Sequence, residues 1–252
     1  MKLVNALPIF AVVLALSIFS TAQPSRAQPR FKAVAFDYFV LFDPSSIVPA
    51  VEKEFPGNGK AFTQIWQGRQ FEYAFLHSIT GRYRNFFDVT GDALEYTAQV
   101  MHLPLSTEAR QRLLNAYLNL SPWPDTIEAL KKLKAAGVRI ITVANFTPMM
   151  LRENADKAGI ADFFDELLST DSERVYKPEP NAYKLGMKHL NLGKDEIVFA
   201  AFGGWDVYGA KSFGYTTFWV NRFDLPAEKL GLEADKTSRN LDGLLEFVLG
   251  DK

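Results

Sequence analysis

The chain has no cysteine in its 252 residues. That absence excludes disulfide staples and cysteine-bound metal centres, and it is compatible with an oxidising compartment. Charge of one sign is not in excess either: 28 Lys and Arg stand against 29 Asp and Glu, a formal net charge of -1. Such a chain has no electrostatic means of gripping nucleic acid or an anionic membrane, so neither is expected as a partner. Internal repeats, low-complexity tracts and zinc-type ligand spacings are also missing. Long apolar runs are missing except at the start.

That start reads as a leader. Met1 and Lys2 are a short basic opening, residues 7–19 are almost wholly apolar, and small-residue exits follow at Ser20-Thr21-Ala22 and Ser25-Arg26-Ala27. The pattern is that of a secretory signal peptide over residues 1–27, its apolar core too short to span a bilayer. The expectation is export, to a periplasm, with cleavage after Ala22 or Ala27 and no stable membrane association afterwards. Roughly 225 residues then remain, enough for one α/β domain and an insertion.

Beyond the leader, Val34-Ala35-Phe36 is an apolar run ending on Asp37, and residues 138–143, 197–202 and 216–220 are three more. All four read as buried strands of a parallel sheet. Helical patterns lie between them at residues 126–136, 148–158 and 181–190, the first two closed by Gly137 and Gly159. Strands alternating with helices predict a Rossmann-like three-layer core, its sheet mostly parallel and covered on both faces. Residues 48–55, 61–78, 88–101 and 107–119 read as helices without intervening strands. They predict a helical cap over residues 45–121, inserted into a core made of residues 31–44 and 122–252. Pro122 and Pro124, around Trp123, mark the return to the core. The high aromatic content, with 21 Phe, fills a core and can also line an apolar pocket.

Four residues with chemistry stand at strand ends or in neighbouring loops: Asp37, Asn145, Lys177 and Asp206. Each has an ordinary reading. Asp37, Asn145 and Asp206 could simply cap turns or helices, and Lys177, between Tyr176 and Pro178, could be a solvated loop lysine. Jointly they predict convergence at the carboxyl edge of the sheet, where such folds place ligands. A carboxylate there can act as a nucleophile and form a covalent intermediate.

These motifs resemble the haloacid dehalogenase superfamily, most closely its type II (S)-2-haloacid dehalogenase branch. Phe36-Asp37 with Leu41-Phe42-Asp43 is similar to the nucleophile motif, one residue shorter than the common form. Gln70-Phe71-Glu72-Tyr73 and Gly81-Arg82-Tyr83 resemble the cap motifs. Val143-Ala144-Asn145, Tyr176-Lys177-Pro178 with Tyr183, and Gly204-Trp205-Asp206 with Gly209-Ala210 resemble the remaining three. The resemblance implies a hydrolase of small 2-haloacids, with no cofactor and no metal, working through an aspartyl ester on Asp37. It implies that Lys177 holds Asp37 ionised, that Asn145 and Asp206 position Lys177 and a water, and that Tyr183 adds a hydroxyl. It also implies an apolar substrate wall drawn from Phe39, Phe71, Phe86 and Trp205, and a homodimer.

The chain departs from that pattern at several positions. Gln67 stands where the family's halide-binding arginine falls, and Arg69 lies on another helix face. Ala144, Ala201 and Gly203 replace polar family residues, and Val40 and Leu41 leave the first-loop threonine without a counterpart. Three alternatives stay open: a hydrolase of another carbon electrophile, a non-catalytic ligand-binding protein, and a magnesium phosphatase. The last would need an acid two residues after the nucleophile, where Phe39 stands. Amino-terminal sequencing of the exported protein should read from Gln23 or from Gln28; a start at Met1 would contradict the leader.

Overall fold

A computed structural model of the chain describes residues 29–250, so the leader expected over residues 1–27 lies outside the described residues. In chain order, β1 (Ala33–Phe36) leads into a one-turn helix α1 (Tyr38–Leu41) and the short strand β2 (Phe42–Asp43). Four helices follow: α2 (Val48–Glu54), α3 (Gly59–Ile79), α4 (Phe86–Val100) and α5 (Thr107–Ala116). After β3 (Ser121–Pro122) come α6 (Thr126–Ala135), β4 (Arg139–Ala144), α7 (Pro148–Lys157), β5 (Glu166–Ser169) and α8 (Pro180–Leu190). The chain continues through β6 (Ile197–Ala201), α9 (Gly204–Phe213), β7 (Thr216–Val220), β8 (Lys236–Ser238) and α10 (Leu241–Leu249).

Six strands form one sheet in the order β5-β4-β1-β6-β7-β8, every pair parallel. β1 is central, with Phe36 opposite Thr142 on one side and Ala200 on the other. The chain winds outward from β1 to β5, then returns to the other side of β1 at β6. That reversal opens a crevice at the carboxyl ends of β1, β4 and β6, the place where open α/β sheets take ligands. The four expected strands all lie in this sheet. β5 and β8 were not foreseen: β5 has only four residues, and β8, Lys-Thr-Ser at the edge, has no apolar run to announce it.

Alternation along the strands splits the core in two. Val34, Phe36, Ile140, Val198 and Ala200 face one side with α6, α7 and α10. Ala35, Ile141, Val143, Phe199 and Ala201 face the other with α8 and α9. Helices α2–α5 leave and return through an antiparallel ribbon, in which Phe42 pairs with Pro122 and Asp43 with Ser121. Their buried side chains, Phe62, Trp66, Leu94 and Leu113 among them, join the first of the two core clusters instead of forming one of their own. The apolar interior therefore runs from these helices to the sheet without a polar break.

Helix α5 stops at Ala116, three residues earlier than its sequence pattern, because a core side chain captures the backbone beyond it. Asn154 of α7, fully buried, donates to the Tyr117 carbonyl at 2.8 Å and accepts from the Leu120 N–H at 2.7 Å. Its amide also donates to the Met150 carbonyl of its own helix at 2.9 Å. Replacement by leucine keeps the shape and leaves these backbone groups unpaired, a cost of about 2–4 kcal/mol. Asn154→Leu should lower the melting temperature by roughly 5–12 °C; a fall under about 2 °C would contradict this role.

Candidate active site

Asp37 follows the last residue of β1, and its backbone N–H still donates to the Ala200 carbonyl of β6 at 2.9 Å. The backbone thus holds the residue in the crevice between β1 and β6. Its two carboxylate oxygens have separate duties. Oδ1 accepts from the Phe39 N–H at 2.9 Å and caps α1. Oδ2 accepts from Lys177 Nζ at 2.6 Å. The capping reading of Asp37 therefore holds on one oxygen, while the other is paired with a buried ammonium.

Lys177 is not a solvated loop lysine. It is fully buried, and its ammonium also donates to Asp206 Oδ2 at 2.7 Å. Asp206 lies in the first turn of α9, after β6, and its other oxygen accepts from the Tyr183 hydroxyl at 2.6 Å. Gly209, one turn further along α9, makes this contact possible. A Cβ there would stand 2.6 Å from Pro178 Cβ and would strike the Tyr183 hydroxyl. Asn145 closes the group from the end of β4. Its Oδ1 accepts from the Lys177 backbone N–H at 2.9 Å and from the Thr170 hydroxyl at 3.3 Å, fixing the loop that carries the lysine. Asn145 does not cap α7; Thr147 does, accepting from the Met150 N–H at 3.2 Å.

A cavity of about 20 Å³ opens against Asp37, lined by Tyr38, Phe39, Phe71, Phe86, Ala144, Asn145, Phe146 and Trp205. That is room for about one water. The four aromatic residues expected at the substrate, Phe39, Phe71, Phe86 and Trp205, all line it. Phe146 was missed; its ring stacks on Phe86 and meets Phe39 edge-on, with centroids 5.4 Å away in each case. Its place directly after Asn145 was the available signal. Gln67 does not line the cavity: its amide donates to the Pro44 carbonyl at 2.8 Å. Arg69 turns away as well, pairing with Glu72 and lying over the Tyr96 ring at 4.2 Å. Gly203 has a steric reason, since a Cβ there would stand 2.6 Å from the Trp205 indole nitrogen.

Asp37, Lys177 and Asp206 form a buried group of two carboxylates and one ammonium. Burial alone would depress the Lys177 ammonium, but the charges of Asp206 and Asp37 outweigh it and hold the group above its ordinary value. Burial pushes the Asp206 carboxyl up to about 6, a rise that Lys177 opposes and the Asp37 charge reinforces. Burial and Asp206 raise the Tyr183 phenol well above its ordinary value, so it serves as a donor. Among the described residues no cluster of three or more His, Cys, Asp or Glu is arranged to hold a metal ion. Because Asp206 titrates higher in the folded protein than its ordinary 3.8, the folded state holds that proton more tightly than the unfolded chain. This contribution to stability is fully present below 3.8 and is lost as pH rises through about 6. In thermal melts the advantage of wild type over Asp206→Asn should therefore shrink between about pH 5 and about pH 7.5. An advantage that grows over that interval would contradict the assignment.

Residues 31–214 match the family described as haloacid dehalogenase-like hydrolase. Haloacetate dehalogenase H-2 of Moraxella sp. (strain B) is 36% identical over 220 residues, which are 87% of this chain and 98% of that protein. The (S)-2-haloacid dehalogenase of Pseudomonas sp. (strain YL) is 36% identical over 217 residues, 86% of this chain and 94% of that protein. The crystal structure of L-2-haloacid dehalogenase from Xanthobacter autotrophicus, with chloropropionic acid covalently bound, superposes with a TM-score of 0.83 at 32% identity. That match covers 88% of this chain and 100% of the other. With the sheet, the crevice and the buried lysine already in place, these likenesses put the chain in a family: it belongs to the haloacid dehalogenase-like hydrolases, in the branch of the (S)-2-haloacid dehalogenases.

Proposed function

We propose that this protein hydrolyses the carbon–halogen bond of a small (S)-2-haloacid or a close relative of one. The observation that carries the reading is the Asp37 carboxylate, set against an aromatic cavity and held by the buried Lys177 ammonium at 2.6 Å. Anchored on one side by the Phe39 N–H and on the other by Lys177, the carboxylate is fixed in orientation, and water is largely excluded around it. A carboxylate so desolvated and positioned is a stronger nucleophile toward carbon than one in bulk water.

The chemistry follows in two steps. An Asp37 oxygen attacks the halogen-bearing carbon; the C–O bond forms as the carbon–halogen bond breaks, and halide departs with the electron pair. Water then adds to the Asp37 carbonyl carbon of the ester, giving the hydroxy product, a proton and the free carboxylate. Lys177 stabilises the negative charge on Asp37 in both steps, while Asp206, tied by Tyr183, keeps the lysine charged and in place. Phe39 stands where a phosphatase needs an acid; it cannot protonate a leaving group.

Helices α2–α5 act in this reading as the cap that shields Asp37. Export rests on the leader pattern of residues 1–27, and a homodimer on the family resemblance. Halide release from L-2-chloropropionate and other L-2-halo compounds tests the chemistry. It should be abolished in Asp37→Asn, reduced on the order of 10²–10³ in Lys177→Met, and unchanged by EDTA. Release that survives Asp37→Asn, or none from any 2-halo compound, would overturn the reading.

A further inference from the structure

The cavity beside Asp37 has room for about one water, and a three-carbon haloacid is several times larger. A wall must therefore yield when substrate enters. Phe71 and Phe86 are the walls supplied by α3 and α4; the others stand at the sheet edge, on strand ends and the first turns after them. Moving the latter disturbs the strand ends that hold Asp37, so α3 and α4 are the elements that give way.

Outside the ribbon that carries the chain to and from the core, few polar contacts tie these two helices to the sheet side. Among the described residues, three side-chain hydrogen bonds cross from residues 59–100 to residues beyond 122, and all three end on the loop of residues 171–176. Tyr176, fully buried, donates its N–H to Ser78 Oγ at 2.8 Å and its hydroxyl to the Arg84 carbonyl. The Tyr83 hydroxyl donates to Asp171 Oδ1. Its ring lies 5.3 Å from that of Tyr176, with the Arg174 guanidinium 5.2 Å over it.

Ser78 stands about two turns beyond Phe71 on α3, and Arg84 two residues before Phe86 at the start of α4. Tyr176 thus grips both segments that bring a wall to the cavity. The next residue in the chain is Lys177. Asn145 fixes its backbone N–H from the core side, and its ammonium must reach between Asp37 and Asp206. The helices above the cavity and the lysine beneath it are joined through one loop.

Resting on the hydrolase reading, we infer that Tyr176 and Tyr83 are positioning residues, which tie the seating of Lys177 against Asp37 to closure of α3 and α4 over the substrate. Entry loosens the tie; closure restores it and sets the ammonium for displacement and for opening of the ester.

The test follows halide release with the L-2-halo compound that wild type turns over fastest, at a temperature where melts show every variant folded. Tyr176→Phe keeps the ring against Tyr83 and Phe86 and removes only the hydroxyl. It should lower kcat about tenfold while changing KM less than about threefold. Tyr83→Phe, at a half-buried position, should show the same split. In Lys177→Met there is no ammonium left to place, so adding Tyr176→Phe should change the remaining rate less than about twofold. An equal loss in both backgrounds, a change confined to KM, or an unaltered kcat in both tyrosine variants would overturn the inference and leave the hydrolase reading standing. No halide from wild type with any 2-halo compound would overturn the hydrolase reading and the inference together.

Discussion

The Lys177 ammonium, fully buried between the carboxylates of Asp37 and Asp206, is the constraint on which the rest of the structure depends. Two carboxylates stay ionised together in a dry site only with a cation between them, and a buried ammonium stays charged when acids surround it. Each of the three residues comes from a different part of the sheet edge: after β1, from the loop beyond β5, and from the start of α9. The reversal of strand order at β1 is what brings them together. Asn145, holding the Lys177 backbone, and Gly209, letting Tyr183 close on Asp206, serve the same group at one remove.

The surroundings of that group are as apolar as its centre is charged. Helices α2–α5 share one hydrophobic cluster with α6, α7 and α10 on one face of the sheet, and the cavity at Asp37 is walled by rings. The first loop is held by its own carbonyls: Trp123 Nε1 donates to Phe39, Arg222 to Val40 and the Thr126 hydroxyl to Leu41, at 2.8–3.0 Å. A nucleophile fixed from behind and dry in front needs little reorganisation when charge moves during substitution. The relatives act on 2-haloacids or haloacetate by name, and the cavity beside Asp37 is lined mainly by carbon.

The sheet was legible where burial demands apolar runs, as at residues 34–36 and 197–201. It was not legible at β8, an exposed three-residue edge, nor at α9, whose glycines serve close packing instead of an apolar stripe. The charged group could be read because strand ends concentrate function, and because Asp37, Asn145, Lys177 and Asp206 recur there. Their individual roles could not. That Thr147 and not Asn145 caps α7, and that Gln67 leaves the cavity for the Pro44 carbonyl, depends on side-chain directions that spacing does not specify.

Isotope incorporation at one residue tests the central claim most directly. Protein in excess over a small 2-halo substrate is taken through a single turnover in ¹⁸O water, and the peptide containing Asp37 is then weighed by mass spectrometry. An ester on Asp37, opened by water at its carbonyl carbon, places one ¹⁸O in the Asp37 carboxylate and none in the product hydroxyl. Label found in the product hydroxyl, with Asp37 unlabelled, would mean that water attacks the substrate carbon directly and would contradict the account.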